Sequence, residues 1–369
     1  MRHTGTNAKI TINHFTVSYT DEGPDDAPVI IFIHGFPFNK SMWNGQVEAL
    51  TEDYRVIAYD VRGHGNSDSG TEDFSIELFT DDLLTLMDAL KIETAMLCGL
   101  SMGGYIALNA IINFPERFNA LLLCDTTCMA DKPETREKRM KTIENIRTYS
   151  VEQYASESIK NLFAAETFVT GNEKVAMVKD MIMKTSKESL CSTLYALARR
   201  KETCNKLADI TVPVLILVGK EDQITPPAAA LLMQKNIKGS TLNIIEHAGH
   251  LSNIENTHEF NNQIKKFVYF VYQASAKLTK SKQPTDNKQD NQTKTIHEQQ
   301  EKDLNSKILK ITMIIKEQYP ELLKYLDEMP VTVPSEKNPE ITLKLLTAYY
   351  ESLNSMLNKY KLEYPKIEQ

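Results

Sequence analysis

A serine set between two glycines, in Gly99-Leu100-Ser101-Met102-Gly103, is the group in this chain best placed by its neighbours to act as a nucleophile. It follows the apolar run Thr94 to Cys98 and leads into a helix-forming stretch from Gly104 to Asn113. A strand, a sharp turn and a helix in that order hold a hydroxyl at a strained corner above a sheet edge, with backbone N–H groups beside it. Such a hydroxyl still needs a base to take its proton, a group to orient the base, and donors for a developing oxyanion. Candidates for all three follow other apolar runs. Asp222 comes after Val214 to Val218, through Gly219, Lys220 and Glu221, and His250 comes after Leu242 to Ile245, within His247-Ala248-Gly249-His250-Leu251. His34-Gly35-Phe36 closes the run Val29 to Ile33, so the Phe36 N–H can join the Met102 N–H as a second oxyanion donor.

Each side chain suits its part at neutral pH. Histidine titrates near the working range, so His250 can accept the serine proton, and Asp222 can hold the other ring nitrogen. Other residues compete for these parts. Glu221 adjoins Asp222, Asp125 follows another apolar run, and His247 lies three residues before His250. His34 reads as a structural ring, and Asp60, Arg62 and His64 read as loop braces, with Arg62 also a candidate for the pocket. Trp43 reads as packing.

The order serine, aspartate, histidine is that of the α/β-hydrolase triad. From about Ile10 to Tyr272 the chain resembles that superfamily. Asp60-Val61-Arg62-Gly63-His64-Gly65-Asn66-Ser67 is similar to its signature loop after the fourth strand, Val212-Pro213 to the start of its seventh strand, and Gly249-His250 to its catalytic histidine turn. Leu123-Cys124-Asp125-Thr126-Thr127, followed by Ala130-Asp131-Lys132-Pro133-Glu134, resembles the carboxylesterase and 3-oxoadipate enol-lactonase-like branch. The resemblance implies cleavage of a small to medium carboxylic ester or lactone through an acyl-enzyme on Ser101. It implies no metal and no organic cofactor. Thioesterases, perhydrolases and carbon-carbon bond hydrolases share the scaffold, as do ligand-binding receptors that keep the fold. Serine at the elbow argues against the haloalkane dehalogenase and epoxide hydrolase branches, whose first step needs a carboxylate nucleophile.

The elements that must position these groups alternate along the first part of the chain. Strands are expected at Lys9 to Ile12, Thr16 to Tyr19, Val29 to Ile33, Arg55 to Tyr59, Ala95 to Cys98, Ala120 to Cys124, Val214 to Val218 and Thr241 to Ile245. The inner runs are continuously apolar, as in parallel strands covered on both faces. Helical stretches near Met42 to Leu50, Ile76 to Leu90 and Tyr105 to Asn113 supply crossovers. The expected fold is α/β, a doubly wound, mostly parallel, eight-stranded sheet over residues 1–274.

Between about 126 and 210 the strands give way to helices, at Pro133 to Tyr149, Glu152 to Phe163, Asn172 to Thr185 and Lys187 to Lys201. A block inserted there forms a lid over Ser101. Met177, Met181, Met183, Leu194 and Tyr195 are candidates for its pocket wall or its internal packing, and Arg136, Arg139, Arg199 and Arg200 for holding a substrate carboxylate or for solvated surface.

Residues 275–303 are rich in Lys, Gln, Asn, Thr and Asp, which reads as a flexible linker. Residues 304–369 carry two helical stripes, one through Leu304, Ile308, Ile311, Ile315, Leu322 and Leu326, the other through Ile341, Leu345, Tyr349, Leu353, Met356 and Tyr360. Pro320 restarts the first helix, and a turn from Pro330 to Pro339 separates the stripes. A hairpin of two helices buries little alone, so this appendage is expected to bind the rest of the chain, a second copy or another protein.

A length of 369 residues accommodates one large domain plus such an appendage. A formal net charge of -7 discourages nucleic-acid and anionic-membrane partners. No stretch is long and apolar enough to span a bilayer, and Met1 to Ile10 lacks a signal-peptide core. Five cysteines without a C-x-x-C argue against a disulfide framework or a zinc site, and lead to the expectation of a reducing cytoplasm. Cys98 and Cys124 end apolar runs and read as small buried hydrophobes.

Overall fold

The computed structural model describes residues 2–280 and, beyond them, residues 303, 304, 307, 308, 310–312, 314, 315, 319–322, 347, 350–358, 360 and 361. Eight strands, β1 (Arg2–Ile12), β2 (Phe15–Pro24), β3 (Val29–Ile33), β4 (Arg55–Tyr59), β5 (Ala95–Leu100), β6 (Phe118–Cys124), β7 (Val214–Gly219) and β8 (Thr241–Ile245), form one sheet. Their order is β1-β2-β4-β3-β5-β6-β7-β8. β1 and β2 pair antiparallel, β2 meets β4 antiparallel, and every later pairing is parallel. The expected sheet is therefore present.

The central strands are apolar on both faces because helices cover both. In β5, Ala95 and Leu97 join one core, whereas Met96, Cys98 and Leu100 join the other. β7 divides in the same way, with Val214, Ile216 and Val218 on one side and Leu215 and Leu217 on the other. This two-residue alternation is what a pleated strand imposes. Each fully buried side chain of this kind contributes about 1.5–3 kcal/mol relative to exposure.

The flanking helices are α1 (Asn44–Leu50), α2 (Ile76–Ala89) and α3 (Met102–Asn113). The Ser75 hydroxyl caps α2 by accepting from the Leu78 N–H. The lid is α4 (Pro133–Thr148), α5 (Val151–Ser158), α6 (Thr167–Thr170), α7 (Asn172–Met183) and α8 (Lys187–Arg199), all between β6 and β7. After β7 come α9 (Pro227–Asn236), α10 (Ser252–Glu255) and α11 (Thr257–Lys280), which the strand-centred sequence reading did not single out. Phe79 and Leu83 of α2 and Ile106 of α3 bury in the first core; Val47 of α1 and Phe260 and Ile264 of α11 bury in the second.

Two expectations are corrected. Cys128 and Cys204 form a disulfide, although the cysteine count argued against one. They are 76 residues apart and meet because the two ends of the lid insertion run side by side, where the Thr203 N–H donates to the Cys128 carbonyl at 2.9 Å. Proximity of this kind belongs to the tertiary fold. Cys98, Cys124 and Cys191 are free and buried. The second correction is at the linker, whose expected start at 275 falls inside α11, which continues to Lys280.

The chain divides into two compact units after Lys280. In the second, the described residues between 303 and 315 and between 347 and 361 are helical, and Pro320–Leu322 forms a 3-10 turn. Ile311, Ile315, Tyr319, Leu322, Leu353 and Leu357 bury against one another; Tyr319 and Leu357 stand outside the two expected stripes. Leu326, Ile341, Leu345, Tyr349 and the Pro330 to Pro339 turn lie outside the described residues. No helix among the described residues is long and apolar enough to cross a membrane.

Candidate active site

The strand order reverses beside β3, whose neighbours are β4 on one side and β5 on the other. A crevice opens at such a reversal, at the carboxyl ends of the strands. There the loop after β3, bearing Phe36, lies next to the turn after β5, bearing Ser101. The carboxyl ends of β7 and β8, along the same edge, carry Asp222 and His250.

Ser101 is 8% exposed and has φ 53° and ψ -111°, a conformation that non-glycine residues rarely adopt. The surrounding backbone holds it there. Its N–H donates to the Cys124 carbonyl at 3.0 Å, and its carbonyl accepts from the Gly104 N–H at 2.9 Å and the Thr126 hydroxyl at 2.8 Å. The flanking glycines allow the strand and helix to cross at contact. A Cβ on Gly99 would lie 2.1 Å from the Gly103 carbonyl oxygen, and one on Gly103 2.1 Å from the Ile33 carbonyl oxygen. Met102 begins α3, so its N–H belongs to the first turn, which has no intrahelical acceptors.

Asp222 and His250 are hydrogen-bonded, with the Asp222 Oδ2 2.8 Å from the His250 Nδ1. Asp222 is itself fixed. Its Oδ1 accepts from the Ile224 and Thr225 N–H groups at 2.8 and 2.9 Å, and its Oδ2 accepts from the Thr225 hydroxyl at 2.8 Å. Burial works to raise the pKa of this carboxyl, but the His250 charge and these donors outweigh it and hold the value below the usual one. For His250 burial works downward, and the carboxylates of Asp222, Asp125 and Glu255 lift the pKa above the ordinary histidine value. Among the described residues no hydrogen bond joins the Ser101 hydroxyl to His250. Catalytic hydrogen bonds commonly tighten only when substrate is bound.

The competing residues have other engagements. Glu221 is exposed. His247 is exposed and pairs with Glu166 at 2.9 Å. Asp125 is fully buried, accepts from the Gly219 N–H at 2.8 Å and from the Ser252 hydroxyl, and has a pKa raised by burial and by the nearby Asp222. It ties the β7 and β8 ends to β6 without bonding the imidazole.

The residues expected as braces are tightly tethered. The His34 ring bridges two strand ends, through the Gly35 carbonyl at 2.8 Å and the Val61 N–H at 2.9 Å. His64 is buried against the Arg62 carbonyl, and burial pushes its pKa down to about 3. Asp60 accepts from the Lys40 ammonium and backbone N–H, both at 2.8 Å. Arg62 is fully engaged with Asp82, at 2.8 and 2.7 Å, and with Glu72 at 2.6 Å, which makes it a brace. Trp43 packs on Phe32 and Phe260.

Within the lid, Met181 and Leu194 are buried in separate apolar clusters, whereas Met177, Met183 and Tyr195 are exposed. Arg139 and Arg200 both bind Asp131, at 2.6 Å each, and Arg200 also lies over the Tyr105 ring. Arg199 stacks on Tyr195 at the surface, and Arg136 is exposed. Sequence reasoning gave no part in the site to Thr126, Thr225, Ser252 or Glu255. Thr225 was within reach of it, since a hydroxyl three residues after an aspartate commonly closes a local turn.

The sequence profile of the alpha/beta hydrolase fold matches residues 28–257. The chain is 30% identical over 256 residues to 3-oxoadipate enol-lactonase 2 of Acinetobacter baylyi, covering 69% of this chain and 94% of that protein. Among solved structures, a thermophilic esterase from Thermogutta terrifontis superposes with a TM-score of 0.68 at 30% identity, over 73% of this chain and 99% of the other. An enol-lactonase from Burkholderia xenovorans gives 0.67 at 30% identity, over 71% and 100%.

Proposed function

Because this chain belongs to the alpha/beta hydrolase fold family, we propose that it cleaves a small to medium carboxylic ester or lactone through an acyl-enzyme on Ser101. His250 is the base, Asp222 its orienting carboxylate, and the Phe36 and Met102 N–H groups are the oxyanion donors. The observation that carries this reading is the buried Asp222–His250 pair, 2.8 Å apart, on the sheet edge that also bears the strained Ser101 turn.

The steps follow from what these groups can do. The Ser101 oxygen attacks the carbonyl carbon as its proton passes to the His250 Nε2, and the carbonyl oxygen becomes an anion facing the two N–H groups. Each such donor is worth roughly 3 kcal/mol in the transition state. Collapse breaks the carbon-oxygen bond, and the imidazolium returns its proton to the departing oxygen. In a lactone that oxygen stays tethered to the acyl chain. A water deprotonated by His250 then attacks the acyl-enzyme, and as the bond to Ser101 breaks the imidazolium returns its proton to the Ser101 oxygen, which frees the acid and restores the starting groups. The imidazolium forms beside a carboxylate that stays ionised, which lowers the cost of each proton transfer.

A dicarboxylate enol-lactone would need a cation in the pocket. Arg139 and Arg200 are both held by Asp131, and Arg200 also donates to the Leu197 and Met129 carbonyls, so neither supports that narrower specificity. The second compact unit is assigned here as a self-association or partner-binding module, and light scattering of the full chain is its test: a monomer that captures no partner counts against it.

Fluorophosphonate labelling tests the nucleophile, with Ser101→Ala as control. A panel of short-chain p-nitrophenyl esters, lactones and thioesters then ranks substrates by kcat/KM. Ser101-dependent labelling with sustained ester or lactone turnover is expected. Labelling that survives Ser101→Ala, or no turnover across the panel, overturns the proposal.

A further inference from the structure

Glu255 lies outside the groups given roles above, yet it is 8% exposed and its carboxylate is saturated with donors from two separate parts of the fold. Its Oε1 accepts from the Gly249 N–H at 2.7 Å, on the residue immediately before His250. Its Oε2 accepts from the Ala164 N–H at 2.8 Å and the Thr167 hydroxyl at 2.7 Å, both in the lid. The Lys174 ammonium of α7 reaches the Glu255 main-chain carbonyl at 2.8 Å, so the lid also grips the backbone of this residue.

The same two segments touch directly. The His250 N–H donates to the Leu162 carbonyl at 2.8 Å, and His247 pairs with Glu166 at 2.9 Å on the outside. The lid backbone sits on Gly249, where a Cβ would lie 2.8 Å from both the Ala164 nitrogen and the Phe163 carbonyl carbon. From the other side Gly219 closes in, since its Cβ would lie 1.9 Å from the Gly249 oxygen. The histidine turn is thus clamped between the end of β7 and lid residues 162–167, and one buried carboxylate joins both halves of the clamp.

The geometry points to Glu255 as a positioning residue that couples the lid to His250, so that displacement of segment 162–167 displaces the catalytic imidazole. This inference rests on the hydrolase reading for its consequence in turnover, while its structural content stands apart from it. The carboxylate suits the part because it offers acceptors in two directions. An amide has one acceptor oxygen and one NH₂ group, so it would point an N–H at the N–H of either Gly249 or Ala164 and leave a buried donor unmatched.

The groups facing His250 are Asp222 and Thr225 from the β7 side, Asp125 from β6 and Glu255 from α10. Glu255 faces Thr167 from the lid and lies beside Lys174. Its charge helps lift the His250 pKa, so neutralising it must lower that value.

Two variants of the full chain test the coupling. Glu255→Gln is expected to lower kcat by about tenfold to a hundredfold, the range that misplacement of a reacting group costs, with a smaller change in KM. The His250 ring titration followed by NMR should move to lower pH, and hydrogen exchange should quicken in peptides spanning both 162–167 and 246–251. Thr167→Val keeps the charge and the Gly249 contact and removes only the lid hydroxyl; exchange should still quicken in both peptides. A merely structural role lowers Tm while kcat, the titration and exchange around Gly249 stay at wild-type values, and that result overturns the inference. So does Thr167→Val loosening the lid peptide alone, which decides the matter even if Glu255→Gln fails to fold. If the wild-type chain lacks Ser101-dependent turnover, the hydrolase reading falls, whereas titration and exchange still judge the coupling.

Discussion

Replacing Asp222 by asparagine should invert the tautomer of His250 while leaving the fold intact. The Asp222 Oδ1 accepts from two backbone N–H groups, at 2.8 and 2.9 Å, and the Oδ2 faces the His250 Nδ1 and the Thr225 hydroxyl. In Asp222→Asn the amide oxygen must stay on the backbone side, because the flipped amide would leave the part-buried Ile224 N–H and the buried Thr225 N–H unmatched, the latter at about 1–3 kcal/mol. The amide N–H₂ then points at the Nδ1. That nitrogen becomes an acceptor, the ring proton moves to Nε2, and Ser101 loses its base. Loss of the correct tautomer in such a triad costs about 10⁴ in kcat, or about 5.5 kcal/mol of barrier. The assay is steady-state hydrolysis of the best ester from the panel, with circular dichroism and Tm as fold controls and ¹⁵N NMR to locate the ring proton. A variant within about tenfold of wild-type kcat refutes the reasoning, given the scale of the expected loss. If Asp125→Asn proves the more damaging change, the orienting acid is Asp125.

Three further predictions concern the same region. Since the neighbouring carboxylates raise the His250 pKa and the base must be neutral, kcat/KM should fall as pH drops through a midpoint above the ordinary histidine value of about 6.5; a pH-rate profile with a midpoint at or below that value contradicts the assignment. Gly103→Ala forces a Cβ to within 2.1 Å of the Ile33 carbonyl oxygen, so fluorophosphonate labelling should be lost together with soluble yield, and normal labelling would argue against the tight elbow. Opening the Cys128–Cys204 disulfide, which spans 76 residues, removes at most about 4.5 kcal/mol by chain entropy and should lower Tm on the order of 10 °C; calorimetry of the Cys128→Ser/Cys204→Ser variant checks this, and an unchanged Tm would sink it.

The elements that carry the site were legible because their signals are local. The apolar run Val214 to Val218 reads as a strand wherever it lies, since continuous β-type hydrophobes bury on both faces of a parallel sheet. Gly103, Asp222 and His250 stand out because each lies shortly after the carboxyl end of a strand, where a parallel sheet presents its loops on one edge. In α4, Ile143 and Ile146 recur at helical spacing and are the residues it buries.

By itself the sequence located the central strands, the serine turn and the side chains whose intrinsic pKa suits proton transfer, because propensity, apolar runs and intrinsic pKa are properties of short segments. Only the tertiary structure decided that Cys128 meets Cys204, that Arg139 and Arg200 are consumed by Asp131, and that Glu255 joins lid to histidine turn. Those pairings bring together residues from 6 to 91 positions apart, and the partner a buried charge or thiol finds depends on which loops the closed sheet sets side by side.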